Sequence, residues 1–262
     1  MSDWIKFLGT AGARFVVYKQ LRASGGIWCH IQERDLIIDP GPGTAYRCHA
    51  AKPKLNPEIL DAIILTHRHL DHTTEANVMV EAMTRGTFSR RGALFAPADA
   101  ICRPEPVVFS YLREAVERLG VLHEGGCYSL DGRVGFCTPV RHLHPVETYG
   151  LLFDLPYGKI GFIVDTAFFS GLVESYRGAD LLVLNLMLFD PPPRPGIQHL
   201  DVAGARRLIE GIKPRVTIIT HFGMTLLKRN PHLVAQQLQE ETGYKVIAAR
   251  DGMTLDLASL FA

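Results

Sequence analysis

The sequence predicts a layered α/β fold in which covered strands alternate with helices, and three observations carry that expectation. Short apolar segments recur along the chain, several of them are continuous apolar runs and not strict alternations, and segments with helical start signals lie between them. A continuous run implies that both faces of the strand are covered, and the intervening helices supply the cover.

Taken in order, residues 5–8, 27–31, 36–38, 62–65, 135–137, 151–155, 160–164, 181–184, 216–219 and 245–247 read as strands. Helices are expected after Asn56, Asp201 and Asn230, where a capping side chain precedes Pro57, Val202 and Pro231. After Asp201, the residues Val202, Ala205, Leu208, Ile209 and Ile212 share one helical face, and Pro214 follows as a stop. Residues 73–83 and 107–119 also read as helices, and the proline-rich stretch 191–196 as an extended loop. No internal repeat or linker divides the chain, so residues 1–262 are expected to form one domain. The segment of about residues 73–141 is expected to be a helical elaboration, serving as pocket wall or dimer contact.

Composition narrows the function classes. The 28 basic and 27 acidic residues are spread evenly, so no charged arm marks a nucleic-acid partner, and nucleic acid is disfavoured without being excluded. The start Met1-Ser2-Asp3-Trp4 lacks a basic segment leading into an apolar one, and no apolar stretch is long enough for a bilayer, so a cytoplasmic protein without a membrane partner is expected. Five cysteines, Cys29, Cys48, Cys102, Cys127 and Cys137, form an odd, widely spaced set without a Cys-x-x-Cys pair and read as buried or incidental thiols.

The histidines are different, because they gather beside apolar runs. The strand ending at Leu65 passes into Thr66-His67-Arg68-His69-Leu70-Asp71-His72, four metal-ligand side chains within six residues. Imidazole and carboxylate suit Zn²⁺ and its neighbours, and the absence of thiols argues against a closed structural cysteine site. His67 and His69 would face one ion, and Asp71 and His72 a second.

This His-x-His-x-Asp-His pattern after an apolar strand resembles the signature of the metallo-β-lactamase superfamily, in particular its ribonuclease Z-like and cyclic phosphodiesterase-like members. The resemblance implies a four-layer αββα sandwich and extends over nearly the whole chain. Asp39, at the end of Leu36-Ile37-Ile38, resembles the aspartate that orients the metal-binding loop, with Gly41 and Gly43 permitting a tight turn. His144, followed six residues later by Gly150, resembles the third ligand of the first metal and is favoured over His142. Asp165 resembles the bridging carboxylate, and His221 the last ligand. The implied set is His67, His69 and His144 on one metal, Asp71, His72 and His221 on the other, and Asp165 between them, with two divalent ions, Zn²⁺ before Mn²⁺ or iron. A hydroxide bridging the ions would be the nucleophile, consistent with the lack of a Gly-x-Ser-x-Gly elbow, a Walker phosphate loop or a dinucleotide-binding glycine pattern.

Within the family the substrate is the open question. His199, immediately before the amphipathic helix and about twenty residues ahead of His221, resembles the histidine of the phosphodiesterase branch that protonates the leaving alkoxide; Asp71 is counted with it as catalytic. Glu147 is a weaker candidate for orienting His199, and Arg14, Lys19, Arg22 and Ser24 for approaching a phosphate. Only twenty residues separate His144 from Asp165, too few for the tRNA-gripping arm of ribonuclease Z. The expectation is a phosphodiesterase for a small cyclic phosphate, nucleotide or RNA end, with a homodimer left open. The alternatives are a lactonase or thioesterase of the same fold and a non-catalytic metal or ligand sensor.

Overall fold

The computed structural model describes residues 3–261 except Arg103, Pro193 and Pro195. Met1 and Ser2, and the two prolines within the 191–196 loop reading, therefore lie outside the described residues.

Among the described residues fourteen strands form two seven-stranded mixed sheets. Those of the first half are β1 (Trp4–Phe7), β2 (Ile27–Ile31), β3 (Arg34–Ile38), β4 (Ala62–Ile64), β5 (Ala93–Pro97), β6 (Arg118–Leu122) and β7 (Gly126–Ser129). Then follow β8 (Gly135–Thr138), β9 (Leu151–Leu155), β10 (Gly158–Ile163), β11 (Leu181–Asn185), β12 (Val216–Thr220), β13 (Lys245–Ala248) and β14 (Thr254–Asp256). One sheet runs β14-β1-β2-β3-β4-β5-β6 and the other β13-β12-β11-β10-β9-β8-β7. The layers follow from period-two alternation. In β3, β4 and β5, residues Leu36, Ile38, Ala62, Ile64, Ala93 and Phe95 meet Phe162, Leu181, Val183 and Ile218 of the other sheet in a shared core. Their neighbours Ile37, Ile63 and Leu94 point the other way, under the helix Ala76–Met83. On the opposite flank, Ile163, Leu182, Leu184 and Ile219 pack beneath the helices Val202–Ile212 and Pro231–Thr242. The result is the four-layer αββα sandwich of the metallo-β-lactamase fold.

Asp201 caps its helix by accepting from the Gly204 amide at 2.6 Å, and Asn230 caps the next by accepting from the His232 amide at 3.1 Å. Beyond Asn56 the chain makes only the 3-10 turn Pro57–Ile59.

Three expectations need correction. The segment 73–141 is not simply helical: besides the helix Ala76–Met83, short turns and the strand expected at 135–137, which is β8, it carries β5, β6 and β7, and together these four strands extend one edge of each sheet. β5 escaped notice because it ends in Pro97, a residue that ordinarily argues against a strand interior, and β6 because it is an exposed edge beginning with Arg118. Residues 107–119 are not one helix either. Helix Ser110–Ala115 stops at Val116, which is extended, and the amides of Glu117 and Arg118 turn to the Gly92 carbonyl to enter β6. Finally, Cys127 and Cys137 form a disulfide, because the β7–β8 pairing sets them directly opposite with Cα atoms 4.0 Å apart. Cys29 and Cys48 are buried free thiols and Cys102 is an exposed one.

Among the described residues no helix is long and apolar enough to cross a membrane.

Candidate metal centre

The parallel strands of each sheet end on one side of the sandwich, where the ridge of an α/β fold ordinarily collects ligands. β3 and β4 are in register at Ile38 and Ile64, and the chain leaves them into Asp39 and into the His67–His72 segment. In the facing sheet β10, β11 and β12 run parallel and in register, delivering Asp165, Asn185 and His221 to the same region.

The early loop is held by short contacts. Asp39 accepts from the Thr66 amide and the Thr66 hydroxyl, both at 2.7 Å, and lies 2.9 Å from His72 Nδ1. Glu75 receives the amides of Gly43 and Ala45, each at 2.6 Å, tying the turn after Asp39 to the helical turn Leu70–Thr73. Gly41 lies so close to this turn that an added Cβ would sit 2.0 Å from the Asp71 carbonyl oxygen. His221 adopts a left-handed backbone with φ of 61°, as does Asp39 with φ of 51°. Such non-glycine conformations cost about 1–3 kcal/mol and persist only where the surroundings over-determine them. Here the Phe222 amide donates to Thr10 and the Gly12 amide to Phe222, while an added Cβ on Gly12 would meet the His221 carbonyl oxygen at 2.1 Å.

The seven residues expected to ligate metal converge. His67, His69 and His144 form one group, Asp71, His72 and His221 a second, with ligand atoms within 4.8 Å of one another in each. His69 Nδ1 and His144 Nε2 are 3.0 Å apart, and His72 Nε2 and His221 Nε2 are 3.1 Å apart. Asp165 lies between the groups, with Oδ2 at 3.8 Å from His67, 3.6 Å from His72 and 4.0 Å from His144, and Oδ1 at 3.5 Å from His221.

These residues fit divalent cations. Ligand atoms bound at 2.0–2.2 Å to one tetrahedral ion are about 3.4 Å apart, the range seen here. His67 Nε2 is buried without a hydrogen-bond partner among the described residues. The far nitrogens are engaged: His72 Nδ1 by Asp39, His144 Nδ1 by the Gln198 carbonyl at 3.0 Å and His67 Nδ1 by the Thr66 hydroxyl at 3.1 Å. That arrangement fixes the tautomer and leaves each Nε2 lone pair for a metal.

Burial and the neighbouring charges shift these groups in different directions. Burial, reinforced by His72, holds the His67 imidazole far below its ordinary proton affinity, and burial lowers His69 and His144 as well. Burial opposes ionisation of Asp71 and Asp165, yet the surrounding imidazoles outweigh it and keep both carboxyls below the usual range. For His72 burial is likewise outweighed, here by Asp71, Asp165 and Asp39, so it is raised.

His142 belongs to none of the metal-ligand groups among the described residues. It is buried, its Nε2 lies 3.4 Å from the Tyr176 hydroxyl, and burial outweighs the pull of Asp165 and pushes its pKa down to about 3. His199 faces the cluster, with Nδ1 3.6 Å from Asp165 Oδ2 and its ring edge-on to that of His144 at 5.1 Å. Glu147 does not reach His199: it accepts from the Asp99 amide at 3.1 Å and the Tyr149 hydroxyl at 2.8 Å, because the turn after His144 packs against the start of helix Ala98–Ile101. Asn185, which sequence reasoning missed, donates to Asp165 Oδ1 at 2.9 Å. Its signal was its position at the end of an apolar strand, matching Asp165 and His221.

Residues 34–222 match the model of the beta-lactamase superfamily domain. The chain belongs to the beta-lactamase superfamily. An uncharacterized protein of Methanocaldococcus jannaschii is 32% identical over 260 residues, covering 97% of this chain and 94% of the relative. Among solved structures, the metallo-beta-lactamase fold protein YhfI from Bacillus subtilis superposes with a TM-score of 0.80 at 16% identity, covering 97% of this chain and 99% of that one. A structure described as a new diphosphatase from the PhnP family gives a TM-score of 0.72 at 22% identity, covering 97% and 98%. Both likenesses are of fold. Membership of this metallohydrolase superfamily gives the histidine and aspartate cluster its reading as a divalent-metal site in a metal-dependent hydrolase.

Proposed function

We propose that the protein is a dinuclear metal-dependent phosphodiesterase acting on a small phosphodiester, with Zn²⁺ as the preferred ion. His67, His69 and His144 would hold one ion, Asp71, His72 and His221 the other, and Asp165 would bridge. When bound, such a pair supplies a hydroxide near neutral pH and neutralises phosphoryl oxygens.

The observation that carries the choice of a phosphodiester is His199. It projects from the loop before helix Val202–Ile212 onto the rim of the cluster, its side chain 17% exposed, so a nitrogen is in reach of a substrate placed over Asp165. An alkoxide leaving from phosphorus needs a proton, whereas a thiolate does not, and a rim imidazole is placed to give one. Burial lowers the proton affinity of His199, while the facing Asp165 carboxylate raises it. The charge of a bound phosphodiester adds to the pull of Asp165. Gln198 and Asp201 hold this histidine in place, one through its carbonyl on His144 and the other by capping the helix. The fold neighbour described as a diphosphatase also acts at phosphorus.

The test compares metal-loaded wild-type protein with His199→Ala on two substrates, bis(p-nitrophenyl) phosphate and a phosphodiester with an alkyl leaving group. General-acid catalysis contributes about 10²–10⁴-fold, so the variant should lose about that much on the alkyl substrate and much less on p-nitrophenolate, a better leaving group. Equal losses on both would remove proton donation from His199. Turnover of lactones or thioesters with none of phosphodiesters would replace the reading with an esterase of the same fold.

A further inference from the structure

A second cavity, lined by three basic side chains among small and apolar residues, lies apart from the histidine cluster. It has a volume of about 170 Å³ and is walled by Lys6, Leu8, Arg47, Lys52 and Gly252 together with the end of helix Thr44–Ala50. None of these residues lines the cavity beside Asp71 and His221.

Lys6 is the unusual member. Ile5 and Phe7 of β1 enter the core between the sheets, so the period of two turns Lys6 to the outer face. There it is only 4% exposed. Its ammonium donates to the Thr254 hydroxyl at 2.6 Å and to the Gly252 carbonyl at 3.3 Å, both neutral acceptors. Burial lowers its proton affinity and no neighbouring carboxylate opposes the shift. Ion pairs of Arg34, Arg85, Arg133, Lys159, Arg177 and Arg206 occur among the described residues, and none of them involves Lys6, Arg47 or Lys52.

Lysine is almost never fully buried unless paired, and an anion shared with the half-buried Arg47 and the exposed Lys52 would supply the charge partner that the neutral acceptors of Lys6 lack. A single carboxylate would offset one of the three. A phosphoryl dianion offsets two, and its oxygens match both the fork of an arginine and the point charges of lysines. The volume is several times the roughly 30 Å³ occupied by one water, which is ample for five heavy atoms.

We propose that this cavity is a phosphate site separate from the metal centre, in which Lys6, Arg47 and Lys52 take a phosphate ion or the phosphomonoester end of a small molecule.

The test is a titration of the metal-loaded protein with inorganic phosphate and, separately, with glycerol 3-phosphate, followed by amide chemical shifts. Saturable shifts are expected at Ala51, Lys52 and Gly252, and Lys6→Met and Arg47→Ala should each weaken that binding tenfold or more. Turnover of bis(p-nitrophenyl) phosphate should be unchanged in both variants. Response to inorganic phosphate identifies a free-ion site, and response to the monoester alone identifies a site for a larger ligand; either supports the proposal. Shifts confined to the surroundings of the histidine cluster, or equal binding by wild type and Arg47→Ala, would overturn it. Lys52→Ala provides the same reading should Lys6→Met fail to fold. Because this readout lies away from the metal centre, its failure leaves the phosphodiesterase reading to be judged by its own test.

Discussion

Replacing Asp39 by asparagine tests whether the metal centre is organised through residues that touch no metal. The wild-type carboxylate accepts three contacts, from the Thr66 amide, the Thr66 hydroxyl and His72 Nδ1, at 2.7, 2.7 and 2.9 Å. Asparagine keeps the shape and one acceptor oxygen, so the Thr66 amide stays satisfied and the hydroxyl can rotate to accept from the new amide group. His72 has no such freedom. With its Nε2 turned to a metal, Nδ1 must carry the proton, and the NH₂ of the introduced side chain would oppose it donor to donor. Either that contact breaks, or the proton moves to Nε2 and blocks the lone pair that binds metal. A hydrogen bond to a charged group is worth about 1.5–3 kcal/mol, which corresponds to about 10- to 150-fold in affinity. Partners behind a metal ligand ordinarily contribute about 10–100-fold, so two independent routes agree. The assay is chelator competition on folded Asp39→Asn protein, with metal counted per chain. The ion on the side of Asp71, His72 and His221 should weaken selectively. A folded variant whose metal affinities lie within twofold of wild type would refute the reasoning.

Two further perturbations separate packing from ligation. Gly12→Ala would place a Cβ 2.1 Å from the His221 carbonyl oxygen and 2.6 Å from its Nδ1, so His221 must shift; metal content per chain should fall below that of wild type, as read by elemental analysis. His144→Ala should likewise lose metal, whereas His142→Phe, which fills a buried space beside Tyr176, should keep the metal content of wild type and alter only thermal stability.

Much of the centre was legible because ligands at strand ends carry a local signature: an apolar run followed by His or Asp, directly at Asp165 and after one threonine at His67 and His221. Asn185 repeats that pattern with an amide in place of a ligand, and its role appeared only when the register of β11 with β10 and β12 set it beside Asp165. Glu147 shows the opposite error, since nearness to His144 in sequence did not make it a neighbour of His199.

By itself the sequence determined the alternation of covered strands and capped helices, the family and the donor chemistry, because periodicity, capping and ligand type are properties of a few adjacent residues. Tertiary structure decided the rest. Only strand pairing brings Cys127 opposite Cys137, draws β5 and β6 out of a stretch that reads as helix, and closes two separate histidine groups around one carboxylate. The physical reason is that such contacts are made across the sheets by residues far apart along the chain, so register and packing, not local propensity, select them.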